Sequence, residues 1–241
     1  MVFRHKLRES IEVHETLNPL LWNSDNTLKT DIGEALQAIV LQYIDDSEVL
    51  KESDIIDIEL LGSNASYNYT KDSDLDLHIV VNMEAISSDP ALVQIACNAE
   101  KSIFNKAYNI TVKGVDVELY VEDVNAATAS NGIYSLTKNE WIRFPIRMDI
   151  PDITNNPDYH VLLGEWVKAA KDILNNSSSS SEIIRFINEI YNLRRLSIMT
   201  EGEYGIGNLV FKEVRNRGLL QQLKDMLNLM SSRELSLEGL H

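Results

Sequence analysis

Between residues 30 and 44 the apolar side chains Ile32, Leu36, Ile39, Val40, Tyr43 and Ile44 recur every three or four positions, with Thr30 or Asp31 placed to cap the start. That spacing predicts an amphipathic helix. The period then falls to two: Ile56, Ile58 and Leu60 share one face of a strand over 55–61. Gly62-Ser63 ends this strand, Ala65–Tyr69 reads as a short helix, and polar Thr70-Lys71-Asp72-Ser73 turns the chain into a second strand, Asp74–Val81. Residues 89–108 predict a helix with apolar Leu92, Ile95, Ala96 and Ile103, and Val115–Val121 a third strand. An irregular stretch, 125–156, carries Trp141, Pro145 and Pro151, and helical stretches follow at 158–174, 182–199 and 207–230. Asn175-Asn176 and the Ser177–Ser181 run form one flexible connection between helices.

This order, mixed helices and strands first and helices afterwards, predicts an α+β fold with a helical C-terminal region. The expected organisation is an N-terminal extension over 1–27, a catalytic domain over 28–126 and a mostly helical domain over 127–241. No internal repeat stands out.

Composition narrows the partners. The chain of 241 residues holds 22 Lys+Arg against 37 Asp+Glu, a formal charge of −15. Residues 1–126 carry 9 basic and 23 acidic side chains, net −14, and residues 127–241 carry 13 and 14, net −1. An acidic surface repels phosphate backbones, which disfavours extended nucleic-acid binding. A local basic cleft is still available from Arg185, Arg194, Arg195, Lys212, Arg215, Arg217 and Lys224. No apolar run approaches the ~20 residues of a membrane span, the first residues lack a secretory pattern, and Cys97 has no cysteine partner. A cytoplasmic location is the expectation.

The chemistry concentrates between Leu60 and Val81. A glycine–serine turn after an apolar strand can offer backbone N–H groups to phosphates. Asp74 and Asp76, one residue apart on a strand, project to the same side. Paired carboxylates suit hard divalent cations, and Mg²⁺ commonly bridges protein carboxylates to substrate phosphates. On the later strand Asp116 and Glu118 again share a face and can lie beside the first pair. Two metal ions ~3.5–4 Å apart would stabilise the entering and leaving oxygens of an in-line displacement.

Gly62-Ser63, ten residues, Asp74-x-Asp76, then a strand bearing an acid about forty residues on resembles the DNA polymerase β-like nucleotidyltransferase superfamily, over roughly residues 30–123. The resemblance implies a mixed sheet with flanking helices and transfer of a nucleoside monophosphate from an NTP such as ATP, using two Mg²⁺ or Mn²⁺ ions. By it, Gly62 and Ser63 contact the triphosphate, and Asp74 and Asp76 bind both metals. Glu118 completes one metal site because Val117-Glu118-Leu119 looks like the family's apolar-acid-apolar strand, with Asp116 as the alternative. Tyr67 stands where many members have glycine. Leu17–Trp22 and Gly207–Lys212 also look like predicted nucleotidyltransferases of large tailed bacteriophages, which would place the chain in a host cytoplasm.

Arg194 and Lys212 are candidate triphosphate contacts, since nucleotide enzymes commonly add cations to the metals. His78 shares the strand face of Asp74 and Asp76; packing beneath the site fits it better than phosphate contact. Tyr67, Tyr69, Trp141 and Tyr204 could stack on a base, although core packing suits each better. The acceptor hydroxyl is left open among a protein side chain, a small molecule, a nucleotide and an RNA 3′ end. The alternative is a non-catalytic nucleotide-binding or interaction protein that keeps the nucleotidyltransferase fold.

Overall fold

Three segments of the chain are held at one sheet: a helix before it, a helix within it and an N-terminal strap. The computed structural model describes residues 13–71, 73–128, 130–148, 155–176 and 179–236. They fall into two compact units, one within Ile11–Asp149 and one within Ile150–His241.

In the first unit the strands are β1 (Ile55–Leu61), β2 (Leu75–Val81), β3 (Thr111–Val112), β4 (Val115–Asp123), β5 (Ile133–Ser135) and β6 (Glu140–Arg143), and the helices α1 (Thr30–Asp46), α2 (Met83–Ile86) and α3 (Pro90–Ala107). The sheet runs β3-β4-β2-β1-β5-β6. β2 and β4 are parallel and every other pairing is antiparallel, so the sheet is mixed and the fold α+β. The parallel pair requires a crossover, and α2 and α3 supply it.

Alternation along β2 sends Leu75, Leu77, Ile79 and Val81 into the core. There they meet Ile32, Leu36, Val40 and Tyr43 of α1 and Val93, Cys97 and Phe104 of α3. The predicted α1 face is the buried one, although the cap position is Lys29 without a side-chain cap. On α3 three of the apolar residues that marked the helix face outward: Leu92, Ile95 and Ile103 are 59%, 65% and 69% exposed. This helix has two apolar stripes, and the one holding Phe104 wins because its ring meets Tyr43 edge-on at 5.3 Å. Asp89 caps α3 by accepting from the Leu92 N–H, with Pro90 in the first turn.

Other expectations also change. Ile56 is 47% exposed while Ile58 and Leu60 are buried. A register irregularity between Ile55 and Asp57 takes Ile56 off their face. No helix forms over Ala65–Tyr69; a 3₁₀ turn, Ser63–Ala65, closes and the backbone then extends. The Tyr67 carbonyl accepts the His14 N–H at 2.7 Å and the Tyr69 carbonyl the His14 Nε2 at 2.9 Å, so tertiary partners replace the helical ones. The segment expected as an extension is instead built in, from residue 13 onward: Leu17, Leu21 and Trp22 belong to the core. Residues 1–12 lie outside the described residues. The boundary expected at 126 also falls inside this unit, because β5 and β6 extend the same sheet through Leu60 opposite Tyr134 and Tyr134 opposite Trp141.

The second unit holds α4 (Pro157–Asn175), α5 (Ser180–Glu201), α6 (Ile206–Asn216) and α7 (Leu219–Leu235), with α6 packed against α4 and α5. The stretch expected as one helix over 207–230 is two, broken at Gly218, which adopts φ 72°. Within the expected serine linker, Ser179 caps α5 and Ser180 begins it; residues 177–178 lie outside the described residues. Among the described residues no helix is long and apolar enough to cross a membrane.

Candidate metal centre

β2 and β4 lie side by side with Asp76 opposite Glu118, and neighbouring strands are ~4.8 Å apart. Asp74 sits just ahead of β2 on the same side as Asp76. One oxygen from each of Asp74, Asp76 and Glu118 falls within 4.8 Å of the others, and all three residues are half-buried. Two ligands on one octahedral ion at ~2.1 Å lie ~3–4.2 Å apart, so small rotations about the side-chain bonds bring these oxygens to bonding distance. Three hard oxygen donors at that separation fit a divalent cation, and the triad could hold a metal ion. Among the described residues this is the one such group. Asp116 is exposed and pairs opposite Thr111 near the sheet edge, outside it.

The glycine–serine turn abuts the acids. Leu61 pairs opposite Asp76, and Gly62 follows with φ 75° and ψ −159°, a combination open essentially to glycine. A Cβ at Gly62 would lie 1.8 Å from Asp76 Oδ2, so the turn also needs glycine for close approach. Ser63 Oγ lies 2.8 Å from Ser73 Oγ, which in turn accepts the Thr70 N–H at 2.9 Å. Ser130 Oγ accepts the Gly62 N–H at 3.3 Å and donates to the Gly132 carbonyl at 2.8 Å.

Asn64, fully buried, fastens the turn to the start of β2. Its amide nitrogen donates to the carbonyls of Ser73 at 3.2 Å and Asp74 at 2.7 Å, and its Oδ1 accepts from Asn18 Nδ2 at 2.8 Å. Its own carbonyl accepts the Trp22 indole N–H at 2.8 Å. The sequence carried no signal for Asn64, since its partners are tertiary. Arg143, also unforeseen, donates to the carbonyls of Thr128 at 3.2 Å and Ser130 at 2.7 Å, bracing the loop that reaches Gly62.

Beyond the triad, the same sheet face carries Glu59, His78, Tyr120 and Glu122. His78 Nδ1 lies 3.1 Å from Glu122 Oε2, an ion-pair distance without in-line hydrogen-bond geometry. The imidazole stacks on Tyr120 at 4.8 Å, which is the packing role expected of it. Contact with His78 holds the Glu122 carboxyl below its ordinary range, whereas burial, then the charge of Asp57, pushes Glu59 above it. Tyr120 and Glu122 were legible as the i+2 and i+4 positions after Glu118 on one strand.

The aromatic candidates are engaged in the protein itself. Tyr69 stacks on His14 at 3.9 Å, Trp141 stacks on Trp22 at 4.6 Å, and Tyr67 packs against the core. Tyr204 is held near pKa 12, first by burial and then by Glu203.

Arg194 and Lys212 belong to the helical unit. Arg194 lies over the Phe211 ring, 4.8 Å from its centroid. Burial lowers the Lys212 pKa, Glu203 opposes that shift, and Arg215 and Arg194 add to it. Arg217 instead pairs with buried Glu213 at 2.8 Å. Comparison with protein-family models, with curated proteins and with solved structures finds nothing that matches this chain.

Proposed function

We propose that this protein is a metal-dependent nucleotidyltransferase with a polymerase β-like catalytic fold, moving a nucleoside monophosphate from an NTP to a hydroxyl acceptor and releasing pyrophosphate. The observation that carries the reading is the meeting of Asp74, Asp76 and Glu118 on neighbouring strands directly beside the Gly62-Ser63 turn. Each half of that arrangement has a job in phosphoryl-type chemistry, which asks a protein mainly for positioning and charge neutralisation.

Asp74 and Asp76 would serve as ligands of both Mg²⁺ or Mn²⁺ ions, and Glu118 would complete one of the two sites. When bound, the ions neutralise the triphosphate and make the acceptor hydroxyl easier to deprotonate. Gly62 and Ser63 line the phosphate end, held in register with the acids by Asn64 and Ser73. The acceptor oxygen attacks the α-phosphorus as its proton passes to solvent and the bond to the bridging oxygen of the departing pyrophosphate breaks. A charge of −15 favours a compact acceptor (a protein side chain, a small metabolite, another nucleotide or a single RNA 3′ end) over a long nucleic acid.

The test is incubation with each α-labelled NTP and Mg²⁺ or Mn²⁺, with and without cell extract, wild type beside Asp76→Asn. Label that enters protein, RNA or a small molecule only with the wild type supports the reading and identifies the acceptor class. NTP binding without label or pyrophosphate in any fraction would favour a binding protein on the same fold.

A further inference from the structure

Between Pro90 and Asn105 the only charged residues of α3 are Glu100 and Lys101, and both are engaged within the protein. Glu100 accepts the Ser47 hydroxyl at 2.6 Å and the Glu48 N–H at 2.9 Å, and the Lys101 ammonium sits 3.8 Å from the Tyr120 ring centroid. What faces outward is Leu92, Ile95 and Ile103 with Ala91 and Ala99, all exposed. A surface helix normally turns charged and polar residues to water. Contiguous apolar area in that place marks an interaction surface.

The order of residues on this face names its occupant. Ala91, Ile95, Ala99 and Ile103 lie four apart and form one ridge along the helix, small and large in alternation. Turned end for end, the ridge is its own complement: Ala91 meets Ile103 and Ile95 meets Ala99, small against large at every step. A two-fold axis makes each of these contacts twice, i to j and j to i. The ends agree. Exposed Asp89 precedes the ridge and exposed Lys106 follows it, so the same pairing sets opposite charges side by side at both ends. With a formal charge of −15 two copies repel over most of their surface, and a charge-free face with complementary ends is where they can touch.

We infer that α3 is the interface of a homodimer, pairing antiparallel with a second copy so that Ile95 packs on the partner's Ala99 and Ile103 on the partner's Ala91. The ridge is on the side of α3 away from Val93, Cys97 and Phe104, which pack into the core. Asp74 and Asp76 project from the opposite face of the sheet, so the inference stands apart from any chemistry there. A single helix pair falls below the ~1,200 Å² of standard interfaces, which sets the self-association in the micromolar range.

The test is sedimentation equilibrium of the full chain across the micromolar range, wild type beside Ala99→Glu and Ile146→Glu. Ala99 is exposed and glutamate is a good helix former, so Ala99→Glu keeps the fold and the melting temperature of the monomer. Ile146, 72% exposed and outside α3, controls for unspecific apolar association. The expected result is a concentration-dependent dimer in wild type and in Ile146→Glu. In Ala99→Glu the dimer Kd should rise at least ~30-fold, because a carboxylate without a counter-charge is set against the partner's Ile95. A wild type that stays monomeric throughout overturns the homodimer and leaves the ridge to a different protein. A dimer that survives Ala99→Glu, or that is lost equally in Ile146→Glu, overturns α3 as its interface.

Discussion

Gly62 is packed so closely on Asp76 that a methyl group in place of its hydrogen would fall 1.8 Å from Oδ2 and 2.9 Å from Cγ of that carboxylate. The strand before Gly62 pairs Leu61 with Asp76, so the glycine cannot move away without breaking the ladder. Relief has to come from the carboxylate, the freer of the two partners. Gly62→Ala therefore costs the fold the ~1–3 kcal/mol of a disfavoured backbone conformation and costs the site a ligand in its proper place. The expected outcome is a folded protein, melting a few degrees lower, whose Mn²⁺ affinity drops to the level of Asp76→Ala.

Three half-buried carboxylates within 4.8 Å repel one another in the absence of a cation. Neutralising one by an isosteric change should relieve the metal-free protein and ruin the loaded one. Asp76→Asn is expected to melt at or above the wild-type temperature in chelator, to show no stabilisation by Mg²⁺, and to lose more activity than the ~100-fold of an outer-shell partner. Thermal melts with EDTA and with Mg²⁺, run beside the label-transfer assay, check all three. Equal Mg²⁺ stabilisation in both proteins would remove Asp76 from the ligand set.

The acids and the glycine turn were legible because their geometry is local: alternation alone aims Asp74 with Asp76, and the need for glycine is written at one position. The sheet core was legible in β2 and α1, where one period dominates. α3 misled because Leu92, Ile95 and Ile103 form a second regular stripe, and only the fit of Phe104 to Tyr43 decides between the two. β5 has three residues, too few to display a period, and is a strand because Leu60 pairs opposite Tyr134. Asn64 is the general case of what a linear reading misses, since every group it satisfies comes from another segment.

Asn64→Ala should be among the most damaging single changes in the first unit. It strips hydrogen-bond donors from the Ser73 and Asp74 carbonyls and strands the buried Asn18 amide. Each buried polar group left without a partner costs ~1–3 kcal/mol. Denaturant unfolding is expected to register a loss of ~3 kcal/mol or more, and Asn64→Asp should fail to rescue because a carboxylate cannot donate. A loss under ~1 kcal/mol would mean the turn is held by other contacts.

Cys97 lies in the core of α3, and burial, then the charge of Glu100, pushes its thiol up to about 11. The attacking species is the thiolate, so both access and ionisation protect it. Iodoacetamide at neutral pH should leave the native protein unlabelled and label it stoichiometrically in denaturant, giving a probe of global opening. Rapid native labelling would show that α3 leaves the sheet.

Glu59 and Glu122 face the same polar side of the sheet with opposite consequences for pH. Contact with His78 lowers Glu122 from the ordinary 4.5, so its folded state holds the proton less tightly than the unfolded chain. Its stabilisation is fully present above 4.5 and disappears as pH falls through the lower folded value. Burial, reinforced by Asp57, raises Glu59 from the same 4.5, so its ionisation destabilises the fold at pH values above its folded value and does nothing well below 4.5. At pH 7.5 Glu122→Gln should therefore melt lower than wild type and Glu59→Gln higher. As the buffer is taken into the acid range the Glu59→Gln advantage should vanish first, near 4.5, and the Glu122→Gln deficit only at still lower pH. Parallel melting curves for the three proteins across this range carry the test, and a Glu59→Gln variant less stable than wild type at pH 7.5 would show that its carboxylate is needed where it lies.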